Sequence, residues 1–437
     1  MKRLRAFGGV GWLPVSQAAS LATSLATFAI LSRLIGPTSY AQFAVLAFAY
    51  TLCALATDLS AMGFLLVHGD TAAVRRTAWR STRMSTIAGS SLLCLVLAGL
   101  CFAPLPQGPP GIEVAAILIA GLASQMLIQP LRGRLMVARR YGRIALADVT
   151  ATIVGYGTAI VIALQTPSVT ALCAQLALTS FLRLAVSAAM VRSVPALRTG
   201  NKLSGDVKLD LPNGIAYGLR VLPINVASYA SRSIDSGVLP LILPASAAAS
   251  YARSYQLIVT PITQVQLSLG GAIVERLARN RSGSKEQEKQ FDKNLWIGLH
   301  LATFSAAIAL SLLAPVIEKI FFGDGWTHVS LMISSMALLL PSLTLSSYLS
   351  WKLQIRADLR HSLRNLMVLL TVPLFAIVLG VGYSTIGAIA GLALGALIQS
   401  VTLALIHQRE LPHRRRVLVP QVIIEWTILA ALVALRL

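Results

Sequence analysis

Eight ionisable side chains interrupt long apolar stretches of this 437-residue chain: Arg33, Asp58, Asp148, Arg183, Arg220, Arg232, Asp235 and Arg253. An ionisable group at the centre of a bilayer costs about 2.5–3.5 kcal/mol on insertion scales, so such residues usually face a cavity or a partner. Asp148 stands near a span end beside Arg143, and Arg183 lies close to a basic exit; both can snorkel to the interface. Asp58 and Arg220 sit well inside their runs. Arg232 and Asp235 are three residues apart on one helix face, where they can pair, and Arg253 in the next run can join them. Two chemistries are open to this set: a cavity that receives a charged ligand, or structural ion pairs.

Other chemistry is not written here. The sequence contains no GxxxxGK[ST] phosphate loop, no GxSxG nucleophile elbow and no HExxH metal helix. The six histidines (His68, His300, His328, His361, His407 and His413) are scattered, with no pair at i,i+4. Neither enzymatic activity, nor a cofactor, nor a bound metal is expected. Cys53, Cys94, Cys101 and Cys173 all fall in apolar runs and read as buried thiols outside any disulfide framework. Gln17 with Pro14, and Gln125, Gln129 and Pro130, either line a lumen or hydrogen-bond between helices, the second being the favoured reading. Gly387, Gly391 and Gly395 form a stripe suited to close helix packing.

The elements that must carry these residues follow from composition. The chain is 56% hydrophobic and 12% charged, about half the charge of a soluble domain, with a mean hydropathy of +0.73. Surface exposed to water needs charge, so soluble enzyme and transcription-factor readings are excluded. Twelve apolar runs are long enough to cross a bilayer: 10–31, 40–66, 84–104, 112–131, 144–164, 169–191, 212–242, 248–272, 294–321, 328–351, 364–383 and 386–406. A last run, 419–435, carries Glu425 and is either a short thirteenth span or an interfacial helix.

The net charge of +21 could suggest nucleic acid, but position decides otherwise. Thirty of the 37 Lys and Arg residues occupy seven short segments: the N-terminus and the exits of the even-numbered runs. That alternation is the positive-inside pattern of a multi-pass protein of the inner (cytoplasmic) membrane, with its N-terminus in the cytoplasm. No nucleic-acid partner is expected. The chain reads as an N-terminal six-helix lobe (1–191), a cytoplasmic linker (192–211), a C-terminal six-helix lobe (212–406) and a tail (407–437) that starts basic and ends in the short apolar run. The turn Leu34-Ile35-Gly36-Pro37-Thr38-Ser39, followed by Tyr40-Ala41, recurs as Leu241-Ile242-Leu243-Pro244-Ala245-Ser246, followed by Tyr251-Ala252. Both copies stand where the first span of a half meets the second, as in parallel repeats.

Several segments together resemble a known family. They are Arg33 through Gly36-Pro37 to Tyr40 and Phe43; Asp58-Leu-Ser-Ala-Met-Gly63; Gln129-Pro-Leu-Arg132-Gly-Arg134 through Arg140-Tyr141; Asp235 with Tyr251-Ala-Arg-Ser-Tyr255; and Phe321-Phe-Gly323-Asp-Gly-Trp326. Their order and spacing over residues 10–406 are similar to the polysaccharide-flippase branch of the multidrug/oligosaccharidyl-lipid/polysaccharide exporter superfamily. The chain departs from that pattern in Ala41, where the family usually has Gly, in sparse acids, and in a single trailing apolar run.

The resemblance implies an all-α membrane protein of about twelve spans, two six-helix lobes around a central cavity, and alternating access. The cargo it implies is a polyprenyl-(pyro)phosphate-linked glycan. Because the deep charges are mainly arginines, Arg33, Arg220, Arg232 and Arg253 are the expected contacts of the anionic headgroup. Asp58 and Asp235 would hold these arginines in the empty site or bind a coupling H+ or Na+. Beyond the glycan lipid and membrane lipids, the expected partners are glycan-assembly proteins, and the fold needs no second copy. The competing readings are a cation-coupled multidrug exporter of the same fold and, from another class, a membrane glycosyltransferase or polymerase.

Overall fold

The computed structural model describes residues 12–102, 108–193, 211–281, 285–323, 325–356 and 359–407, with positions 427 and 431. The N-terminal basic residues, most of the 192–211 linker and the 419–435 run with Glu425 therefore lie outside the described residues, apart from those two positions. Among the described residues there is no strand, and each of the twelve apolar runs is helical. The helices are α1 (Trp12–Leu34), α2 (Pro37–Thr57), α3 (Ala61–His68), α4 (Ala72–Phe102), α5 (Ile112–Val137), α6 (Tyr141–Gln165) and α7 (Val169–Arg192). They continue as α8 (Leu211–Val238), α9 (Ala245–Arg281), α10 (Lys285–Phe321), α11 (Val329–Ala337), α12 (Leu339–Arg356), α13 (Leu359–Leu369) and α14 (Thr371–Ile406). Helices form because a lipid-embedded backbone must satisfy its own hydrogen bonds. At 31 residues, α4 outruns the roughly 20 that span a bilayer, so its arginine-bearing first turns extend past the apolar stretch.

By compactness the chain divides into Met1–Val226 and Ala227–Leu437, a boundary inside α8. Local packing explains why the start of α8 belongs to the first unit. A Cβ on Gly218 would stand 2.6 Å from the Cα of Leu59, and one on Gly214 would stand 2.8 Å from Thr77. Within this unit α5 packs against α3, α4 and α7, while α6 pairs with α1 and α7. Small residues set the spacing: a Cβ on Gly121 of α5 would lie 2.8 Å from the Ala177 Cα of α7. Leu46, Tyr50, Leu93, Leu118, Leu122 and Met126 fill the core. The Tyr50 hydroxyl donates to Gln125 Oε1 at 2.9 Å, which gives Gln125 the interhelical role expected of it. Cys53 and Cys173 are buried as expected, but Cys94 and Cys101 are exposed. They occupy the outer face of α4, where a membrane protein meets lipid and an apolar residue need not turn inward.

In the second unit the fourth run is the axis. In the apolar 18-residue stretch of the span Val329–Leu353, formed by α11 and α12, 89% of the residues are buried, against 50% in that of its counterpart Ile112–Val137 in the first unit. Helices α9, α10 and α14 surround it. The repeated Gly-Pro and Leu-Pro turns also match: Ile35-Gly36 separates α1 from α2, and a 3-10 turn at Leu239–Leu241 precedes α9. Non-helical angles at Tyr383 and Ser384 fold α14 back on itself. The glycine stripe then meets the helix before the turn, since Cβ atoms on Gly387, Gly391 and Gly395 would approach Leu379 O, Phe375 O and Val372 Cα at 2.0, 2.2 and 2.7 Å. As the glycine number rises its facing residue falls in step, which is the register of an antiparallel hairpin.

Candidate functional site

Four helices of the second unit, α8, α9, α12 and α13, line a cavity of about 230 Å³. Its walls carry Ser228 and Arg232 from α8, Thr263 and Gln266 from α9, Ser346, Ser347, Ser350 and Trp351 from α12, and Ser362 and Asn365 from α13, with three leucines between them. The polar residues of α12 follow helical spacing from Leu343, so one polar strip faces the chamber in an otherwise apolar run. Gln266 organises that wall: its Nε2 donates to Thr344 Oγ1 at 3.2 Å, and Ser347 Oγ donates to its Oε1 at 2.8 Å. Asn365 Nδ2 donates to Ser350 Oγ at 3.0 Å.

Among the described residues Arg232 is the one cation in this lining. It reaches back one turn, where Nε donates to the Ser228 carbonyl at 2.9 Å and a terminal nitrogen donates to Ser228 Oγ at 2.8 Å. It also borders a second, smaller void of about 20 Å³, lined by Ser231, Asp235, Tyr255, Ser342 and Gln399 among others. The expected Arg232–Asp235 pair is not made. Asp235 is 2% exposed and accepts from the Tyr251 hydroxyl at 2.5 Å and from the Ser236 amide at 2.8 Å. The guanidinium thus turns toward Ser228 and the carboxylate toward α9, so the two border the same small void without forming an ion pair.

The remaining expected contacts separate. Arg253 is buried and donates to Gln256 Oε1 at 2.6 Å on its own helix; it does not line either cavity. Two residues along α9 from Tyr251, it projects away from the Tyr251–Asp235 side. Arg33, in the last turn of α1, and Arg220, in α8, are exposed on the first unit. Asp58 ends α2 at a non-helical break, 58–60, inside the second run. Its Oδ1 accepts from the Ser60 amide at 2.8 Å, Ser60 takes the left-handed conformation, and the Leu59 amide donates to Ser85 Oγ at 3.1 Å. The carboxylate therefore stabilises a broken span. Side-chain donors replace lost backbone partners, which is what makes irregular backbone tolerable at this depth.

Asp148 and Arg183 do not merely snorkel. Asp148 accepts both terminal nitrogens of Arg132 at 3.3 and 3.0 Å and pairs with Arg183 at 3.5 Å, tying α5, α6 and α7 together. Three further ion pairs, on two acids, escaped the sequence: Asp70 with Arg134 at 3.0 Å and with Arg75 at 3.3 Å, and Asp292 with Lys352 at 2.7 Å. They were hidden because both acids sit at run edges, where a charge is unremarkable. The cavity serines, Gln266 and Asn365 were missed as well. The signal of the serines, polar side chains at i+3, i+4 and i+7 from Leu343 within one span, is readable once that span is known to be central. Among the described residues no group of His, Cys, Asp and Glu could hold a metal ion.

Comparison with known proteins agrees with this architecture. The family described as polysaccharide biosynthesis protein matches residues 30–331. No curated protein matches the sequence. Among solved structures, the lipid II flippase MurJ in an inward closed conformation superposes with a TM-score of 0.68 at 13% identity, covering 97% of this chain and 96% of that one. The eukaryotic MATE transporter AtDTX14 gives 0.60 at 16% identity, covering 98% and 99%. A MOP superfamily transporter from Pyrococcus furiosus, described as having a binding pocket of reversed polarity, gives 0.58 at 15% identity, covering 92% and 95%. At these identities the likeness establishes the fold: an all-α, multi-pass membrane protein.

Proposed function

The chain belongs to the polysaccharide biosynthesis protein family, and we propose that it is a flippase moving a polyprenyl-(pyro)phosphate-linked glycan precursor across the cytoplasmic membrane by alternating access. One observation carries the reading: Arg232 holds its charge in a hydroxyl- and amide-lined cavity with Ser228 as its hydrogen-bond partner and, among the described residues, no carboxylate in ion-pair range. A guanidinium left uncompensated by an acid is a site for an anion, and a phosphate offers the planar fork its best geometry. The surrounding serines and amides suit the hydroxyls of a sugar. A cation-coupled drug exporter would want an acid in this lining, and the larger cavity has none.

Arg33 and Arg220 are exposed on the first unit and are further candidate contacts for the headgroup. Arg253, held by Gln256, orders α9 instead. With the basic segments in the cytoplasm, an inside-negative potential favours outward passage of a phosphorylated headgroup, by about 2.3 kcal/mol per charge per 100 mV. The test is a flipping assay in proteoliposomes. Arg232→Ala should abolish transport of a polyprenyl-diphosphate glycan, Arg232→Lys should retain part of it, and an imposed inside-negative potential should accelerate it. Full transport by the alanine variant at equal membrane level would refute the assignment.

A further inference from the structure

Two buried amides beside Arg232 have an unused hydrogen-bonding end. Among the described residues, Asn365, 3% exposed, has no partner for its Oδ1, although its Nδ2 is bonded to Ser350. Gln399, 2% exposed, likewise has none for its Nε2 among the described residues. Asn365 lines the 230 Å³ cavity and Gln399 the 20 Å³ void, and Arg232 borders both. Leaving a buried polar group unpaired costs about 1–3 kcal/mol, so the Asn365 acceptor points to a ligand in the chamber that supplies a hydrogen-bond donor, with Gln399 offering a donor in the adjoining void. Sugar hydroxyls donate and accept.

Size and lining narrow the class. At about 230 Å³ the chamber is below the roughly 300–1,000 Å³ of sites that hold a drug-sized ligand, so it takes one ring rather than a whole oligosaccharide. Apart from Arg232 its lining is uncharged, and Trp351 adds an aromatic ring of the kind that packs on the C–H face of a pyranose. We infer that this cavity is a subsite for a single uncharged pyranose, the residue next to the phosphate that Arg232 binds. The inference rests on the flippase reading and adds to it that the protein recognises the first sugar and not the phosphate alone.

The test uses the purified full-length chain in nanodiscs, with glucose 1-phosphate, N-acetylglucosamine 1-phosphate and inorganic phosphate as probes, and binding measured by isothermal titration calorimetry. One of the sugar phosphates should bind at least about 10-fold tighter than inorganic phosphate. That ratio should fall to about one in Asn365→Leu and, as a milder change that spares the fold, in Ser347→Ala. Arg232→Gln should weaken every probe. Equal affinity for sugar phosphate and phosphate in the unaltered protein would overturn the subsite while leaving the Arg232 assignment in place. So would a preference untouched by both cavity variants, since ordered waters would then be what fills these amides. If no probe binds and Arg232→Gln still transports, the flippase reading fails with it.

Discussion

The Tyr251 hydroxyl donates to Oδ2 of Asp235 at 2.5 Å, with both residues almost wholly buried, and so fastens α9 to α8 next to the Arg232 chamber. The acid that shares a helix face with Arg232 is thereby committed elsewhere, which leaves the arginine available to an anion. Tyr251→Phe should remove the side-chain donor and leave Asp235 with backbone support, at a cost of about 1–3 kcal/mol. The measurement is thermal unfolding in detergent. A double variant that also replaces Asp235 with Val should lose less than the sum of the two single variants, because the orphaned carboxylate is then gone.

The hairpin of α14 makes a sharper steric prediction. A Cβ on Gly391 would stand 2.2 Å from the Phe375 carbonyl oxygen, whereas Gly382 has open space around it. Gly391→Ala should force the two arms apart and cost about 1–3 kcal/mol or more, with Gly382→Ala close to neutral. Fluorescence-detected size-exclusion after graded heating distinguishes them; equal melting of the two variants would contradict the packed register.

Charge pairs should separate by burial. Arg134 is 7% exposed and its Nε lies 3.0 Å from Asp70, so Asp70→Asn removes the negative charge opposite a buried cation. A loss of about 3–5 kcal/mol is expected, less whatever Asn can still accept. Asp148 serves two partly exposed arginines, and Asp148→Asn should cost nearer 1 kcal/mol. Apparent melting temperatures of the two variants, compared side by side, check the order.

Asp58 offers a test of turn against coupling. Its Oδ1 accepts the Ser60 amide in the break of the second span, and an asparagine side chain can make the same bond. Asp58→Asn should therefore keep both fold and transport, while Asp58→Ala should lower protein yield and transport together. A well-folded Asp58→Asn protein that no longer transports would assign the carboxylate's charge to ion coupling instead.

How much of this was legible in the chain depends on what each feature requires. Periodic apolar runs specify helices wherever they fold, since lipid offers the backbone no other partner. The twelve helical runs and the Gly387-Gly391-Gly395 packing stripe follow from local composition alone. The turn at Gly36-Pro37 and its echo at Leu243-Pro244 are local as well. Side-chain partnership is not local. Arg232 and Asp235 share a face, yet one bonds Ser228 and the other Tyr251, sixteen residues away. Gln266 meets Ser347 across 81 residues. Spacing on a single helix says which groups could meet, whereas the packing of α8, α9, α12 and α13 chose among acceptors close in energy and left one guanidinium facing a polar chamber.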